Sequence, residues 1–96
     1  MSQMIISISE LQTKKNTLEP LAATFKKKLD EYNSIGNRLH GMWEGEAQAE
    51  YMKKFKLDIN KLIELYNLIM SFIRILQKII ELYRSMEQKS LAISSS

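Results

Sequence analysis

Residues that could carry out chemistry are few in this 96-residue chain. Its single histidine, His40, has no second histidine, no cysteine and no aspartate at ligand spacing, so neither a zinc site nor a nucleophile–base pair is indicated. Gly41 and Gly45 lack the preceding strand and the following lysine of a phosphate-binding loop. No carboxylate pair or cofactor motif is convincing elsewhere. We therefore expect a protein that is not an enzyme, with no metal or cofactor and with a solvated His40 near a helix end.

The one run of like charge is Lys26-Lys27-Lys28, in a chain with 14 basic and 11 acidic residues. On a helix these lysines would cover a polar face, and a solvated face is the preferred interpretation. Binding to nucleic acid or to an anionic membrane would require a larger basic surface. The net charge of +3 is a mild excess, so we expect no nucleic acid among the partners.

The composition favours helices, because the chain has one proline, three glycines and 45% hydrophobic residues. This predicts an all-α fold, and the absence of cysteine excludes disulfides and thiolate metal sites. A chain of this size buries only a modest core by itself, which makes a partner plausible. Residues 1–7 lack the charged and apolar segments of a cleavable signal peptide, so export would need another signal.

The first helix is predicted to begin at Ile8, where Ser7 and Glu10 form a capping box. Apolar residues then recur every seven positions and form a seam, which is a row of side chains that can pack on another helix. Residues at the positions between them either continue this seam or weaken it. The seven-residue series is Leu11, Leu18, Phe25, Tyr32 and Leu39, with Ala22 and Leu29 filling the intermediate positions and Lys15 and Gly36 weakening them. Pro20 predicts a kink in this helix, and the alternative is a new helix that starts near Thr17.

One helical hairpin domain over residues 1–96 is the predicted organisation: a helix at about 8–40, a corner at 41–45, a helix at about 46–88 and a flexible tail at 89–96. The second helix has a nearly unbroken seam for packing on the first. Its residues are Met52, Phe55, Ile59, Leu62, Tyr66, Ile69, Ile73, Leu76, Ile80 and Tyr83.

A second apolar stripe lies beside that seam on the second helix. It consists of Leu65, Leu68, Phe72, Ile75, Ile79, Leu82 and Met86. One partner helix cannot cover both stripes, so we expect a second chain to cover this one in an antiparallel four-helix bundle, with residues 65–82 of the stripe as the dimer interface. A membrane span over 62–83 is disfavoured because charges such as Arg74 and Lys78 interrupt it.

Trp43-Glu44-Gly45 stands in the predicted corner and resembles the W-x-G turn of the WXG family, the hundred-residue, early-secreted-antigen-like proteins of type VII (ESX-like) secretion. Tyr83 and Glu87 match a second family signature, Tyr-x-x-x-Asp/Glu near the C-terminus, which is regarded as part of an export signal. At this spacing the phenol and the carboxylate would lie side by side on one helix face. The resemblance covers nearly the whole chain.

The resemblance implies a virulence-associated protein secreted by a type VII machine and its ATPase without a cleavable signal peptide. It would act as an effector or a carrier, as a homodimer or as a heterodimer with a paralogue. Three alternatives stay open: a helical partner or chaperone of a larger secreted toxin, a membrane-active amphipathic protein, and, least favoured, a basic coiled-coil protein that binds nucleic acid.

Overall fold

The protein is an antiparallel pair of long helices in a computed structural model, which describes the backbone of residues 7–95 and the side chains of residues 7–89. Helix α1 spans Ile8–Met42 and helix α2 spans Glu46–Ser95. The hairpin is a thin rod of 76 × 24 × 16 Å. The predicted all-α helical hairpin is confirmed.

The start of α1 is fixed by Ser7, whose Oγ accepts a hydrogen bond of 3.1 Å from the backbone N–H of Glu10. This is the first of the two hydrogen bonds of a capping box. The helix then continues through Pro20, so the alternative of a new helix near Thr17 is wrong. Pro20 is exposed, and the carbonyl of Asn16 that it leaves without a helical donor can bond to water instead. The kink stays a prediction.

Both helices end later than the sequence suggested. Helix α1 continues past His40 to Met42, and α2 continues past Gln88 to Ser95. The segment expected to be a flexible tail is therefore helical through Ser95. The physical reason is that no glycine or proline follows Gly45, so nothing interrupts the backbone hydrogen bonds of α2.

The core consists of two apolar clusters along the contact between the helices. The cluster nearer the corner contains Leu29, Met52, Phe55 and Ile59, and the cluster nearer the chain ends contains Leu11, Leu76 and Ile80. Among the residues of α2 whose side chains are described, every buried apolar one belongs to the predicted seam. The other seam residues are buried or partly buried, whereas Tyr83, the last of them, is exposed, with 41% of its surface accessible.

Gly36 allows close packing of the two helices, although the sequence predicted that it would weaken the seam. It is buried, and a Cβ built at Gly36 would clash with the ring of Phe55. The missing side chain therefore makes room for an aromatic ring of the other helix. Close approach of this kind is a common reason for a glycine inside a helix.

Candidate functional site

The W-x-G residues form the turn between the two helices. Trp43 caps the end of α1 with an extended backbone conformation, φ −145° and ψ 132°. Gly45 has a φ of +115°, which L side chains rarely adopt. The carbonyl of Gly45 then accepts the first hydrogen bond of α2, from the N–H of Ala49 at 3.1 Å. Gly45 is therefore required by the backbone path of this corner.

The Trp43 ring is half exposed and rests on Tyr51, with ring centroids 5.7 Å apart and the planes tilted by 51°. Tyr51 stacks in turn on Phe55 at 6.1 Å, and Phe55 packs against Tyr32 at 5.2 Å. A continuous row of aromatic rings thus connects the corner with the core. One face of Trp43 is fixed by this row, while 41% of the residue is left accessible to another molecule.

A polar contact closes the corner beside the aromatic row. The side-chain amide of Gln48 contacts Nδ1 of His40 and donates a hydrogen bond of 3.4 Å to the His40 carbonyl. Gln48 is buried, and it satisfies a carbonyl at the C-terminus of α1, where the helix itself offers no donor. His40 is exposed in the last turn of α1, as expected, and the contact with Gln48 is an addition to that prediction. Sequence reasoning missed Gln48, because a glutamine in a helix is usually an ordinary exposed helix former.

The predicted dimer interface is largely uncovered within the chain. Five of its residues are between 45% and 66% exposed, namely Leu65, Leu68, Phe72, Ile75 and Leu82. Ile79 differs, because it is partly buried and packs against the core cluster of Leu11, Leu76 and Ile80. An exposed apolar row of this length is unusual for the surface of a soluble monomer.

The C-terminal signature lies at the other end of the rod. Tyr83 and Glu87 are exposed on one side of α2, near the start of α1, where Arg84 donates a hydrogen bond of 3.3 Å to Gln12. The helix rise of about 1.5 Å per residue places Tyr83 roughly 50 Å from Tyr51, on which Trp43 rests. The W-x-G corner and the Tyr83–Glu87 pair of one chain are therefore far apart.

The lysine run is largely neutralised by its own helix. Lys26 forms an ion pair with Asp30 at 2.8 Å, and Lys28 lies 3.9 Å from Glu31. The hydrogen bond to the Asp30 carboxylate raises the pKa of Lys26 above its ordinary value. These pairs favour the solvated-face interpretation of the run over an anion-binding patch.

Within the described residues, no group of histidine and carboxylate side chains could hold a metal ion. Neither helix contains, over its described residues, an apolar stretch that could cross a bilayer. Comparisons of the chain with protein-family models, with curated proteins and with solved structures found no match. The corner, the exposed stripe of α2 and the Tyr83–Glu87 pair are the surface features available to a partner.

Proposed function

We propose that this chain is a non-enzymatic helical protein exported by a type VII secretion machine, and that it acts as a homodimeric effector or carrier. The observation that carries the proposal is the backbone at the corner. Trp43-Glu44-Gly45 is the turn itself, with the glycine at a positive φ and the tryptophan half exposed. A W-x-G match in a helix would have had no such role.

Support for an export signal comes from the C-terminal signature. Tyr83 and Glu87 lie one helical turn apart on α2 and both are exposed, so a receptor could contact the phenol and the carboxylate together. Tyr83 also continues the seam, but its exposure leaves it available for such a contact. The secretion ATPase is the proposed receptor.

Support for a dimer comes from the exposed stripe of α2, because water contact with five large apolar side chains is unfavourable. A larger toxin with similar helices could cover the same stripe, and so could a membrane surface. Solution mass separates these options: a stable dimer of the protein expressed alone supports the proposal. Aggregation that only a co-expressed partner relieves would favour the chaperone role. Leakage of vesicles caused by the purified protein would favour membrane activity.

Export is tested by measuring the protein in the culture medium of its own host, with and without the type VII ATPase. The proposal predicts that secretion requires the ATPase and falls severalfold for Glu87→Ala. Glu64→Ala is the matched control, because Glu64 is also an exposed carboxylate of α2 but lies outside the signature. Secretion independent of the ATPase would overturn the proposal, and an equal loss for both variants would remove Glu87 from the signal.

A further inference from the structure

The exposed stripe of α2 continues in two rows of residues seven apart. The first row is Asp58, Leu65, Phe72, Ile79 and Met86, and the second row is Lys61, Leu68, Ile75, Leu82 and Lys89. Successive apolar members from Leu65 to Leu82 are separated by three and four residues in alternation. This order of intervals is the same from either end, so the stripe is complementary to an antiparallel copy of itself.

We infer that two copies pair antiparallel along α2, with the two-fold axis crossing the helix between Ile73 and Arg74. In this register Phe72 faces Ile75 of the second copy, Leu68 faces Ile79, and Leu65 faces Leu82. Each layer joins one residue of the first row with one of the second row, the usual arrangement of an antiparallel helix pair. The inference rests on the proposed homodimer and adds the residue-by-residue register of its antiparallel pairing along α2.

The charges at the two ends of the stripe select this arrangement. Asp58 begins the first row and Lys89 ends the second, and the register brings Asp58 of each copy opposite Lys89 of the other. Lys61 then lies beside Met86 of the second copy, where its aliphatic stem can cover the thioether. Neither Asp58 nor Lys89 forms an ion pair with another described residue of its own chain.

Other arrangements of the same stripe lose the pairing of Asp58 with Lys89. A parallel pair would bring Asp58 against Asp58, Lys61 against Lys61 and Lys89 against Lys89, which repel. A shift of one heptad in one direction places Asp58 on Leu82 and Lys61 on Ile79. A shift in the other direction places Lys89 on Leu65. Either shift separates Asp58 from Lys89 of the other copy, and the first also sets the Asp58 carboxylate on an apolar side chain, where its desolvation is not compensated.

Disulfide trapping tests the register, since the chain has no cysteine of its own. Residues 65 and 82 are about 26 Å apart within one helix, so they cannot form a bond within a chain. We expect the Leu65→Cys/Leu82→Cys variant to form a disulfide-linked dimer under mild oxidation. Each single variant should stay unlinked, because its two sulfurs are also about 26 Å apart across the two-fold axis. Both positions are exposed within the single chain, so the substitutions leave the intrachain core unchanged.

The matched off-register control is Leu65→Cys/Ile75→Cys, whose cysteines would miss each other by about 10 Å along the axis. Linkage of the single variants would establish a parallel pair and overturn the inference. If the control formed the disulfide and the Leu65→Cys/Leu82→Cys variant did not, the pairing would have the register shifted by one heptad. This result would also overturn the inference. If the Leu65→Cys/Leu82→Cys variant had dimeric mass but formed no disulfide, the register would be overturned, while the proposed homodimer would stand.

Charge reversal provides a test in which no core residue is changed. Asp58→Lys or Lys89→Asp should each raise the dimer dissociation constant about tenfold, because every reversal creates a like-charged pair at both ends. The double reversal should restore the wild-type dissociation constant to within about twofold. Lack of restoration would overturn the register. A wild-type protein that is monomeric throughout would instead overturn both this inference and the homodimer of the proposed function.

Discussion

The ring of Phe55 occupies the space that a side chain at Gly36 would need. The contact couples the two helices near the corner more closely than an alanine would allow, and it positions the aromatic row that ends at Trp43. The glycine and the ring therefore act as one packing unit, although they lie on different helices.

Gly36→Ala is expected to destabilise the hairpin by about 1–3 kcal/mol, because the new methyl group forces the Phe55 ring or the helix to move. The higher helix propensity of alanine, about 1 kcal/mol, offsets only part of this loss. Urea unfolding measures the difference. Gly41→Ala is the control, since a Cβ at Gly41 would meet nothing within 4 Å, and this variant should be slightly more stable than the wild type. Equal effects of the two substitutions would show that the Phe55 ring does not depend on the space beside Gly36.

Gly45→Ala is expected to cost about 1–2 kcal/mol for a different reason, because its φ of +115° strains any residue with a Cβ. The space around Gly45 is open, so the loss cannot come from a clash. Thermal unfolding followed by circular dichroism gives the change, again with Gly41→Ala as the matched control. A Gly45→Ala protein as stable as the wild type would show that the corner does not require this backbone conformation.

Trp43→Ala should reduce export more than it reduces stability. A fully buried ring could contribute about 3 kcal/mol or more, but Trp43 is half exposed and should contribute less. Tyr51→Ala is the control, because it removes the ring on which Trp43 rests and leaves the tryptophan itself in place. Melting and secretion of both variants are compared. Export that fell only in proportion to lost stability would indicate a purely structural tryptophan.

Replacing Phe72 and Ile75 with glutamate should abolish association while the helical content stays near that of the wild type. Both side chains are more than half exposed in the single chain, so their replacement leaves the intrachain core intact. Leu57→Glu is the control, since Leu57 is equally exposed but lies outside the two rows of the stripe. Analytical size exclusion and circular dichroism provide the readout. A well-folded dimer of the double variant would exclude the stripe as the interface.

The features that depend on periodicity could be predicted from sequence. The seam residues of α2 from Met52 to Ile80 follow from their spacing, and the corner follows from the glycines around Trp43. Two contacts could not be predicted, because each depends on which residues of the two helices stand opposite one another. These are the fit of Phe55 on Gly36 and the hydrogen bonding of Gln48 at His40. The end of α2 was missed because serine-rich termini are often frayed, whereas Leu91 and Ala92 continue the helix here.

We propose that a second copy of this chain covers the apolar stripe of α2. Sedimentation equilibrium of the protein expressed alone measures this association, because the result depends on mass and not on the elongated shape. Two chains of 11.2 kDa give 2 × 11.2 = 22.4 kDa, and we expect this mass across the micromolar range. A mass of 11.2 kDa throughout that range would show that no second copy covers the stripe.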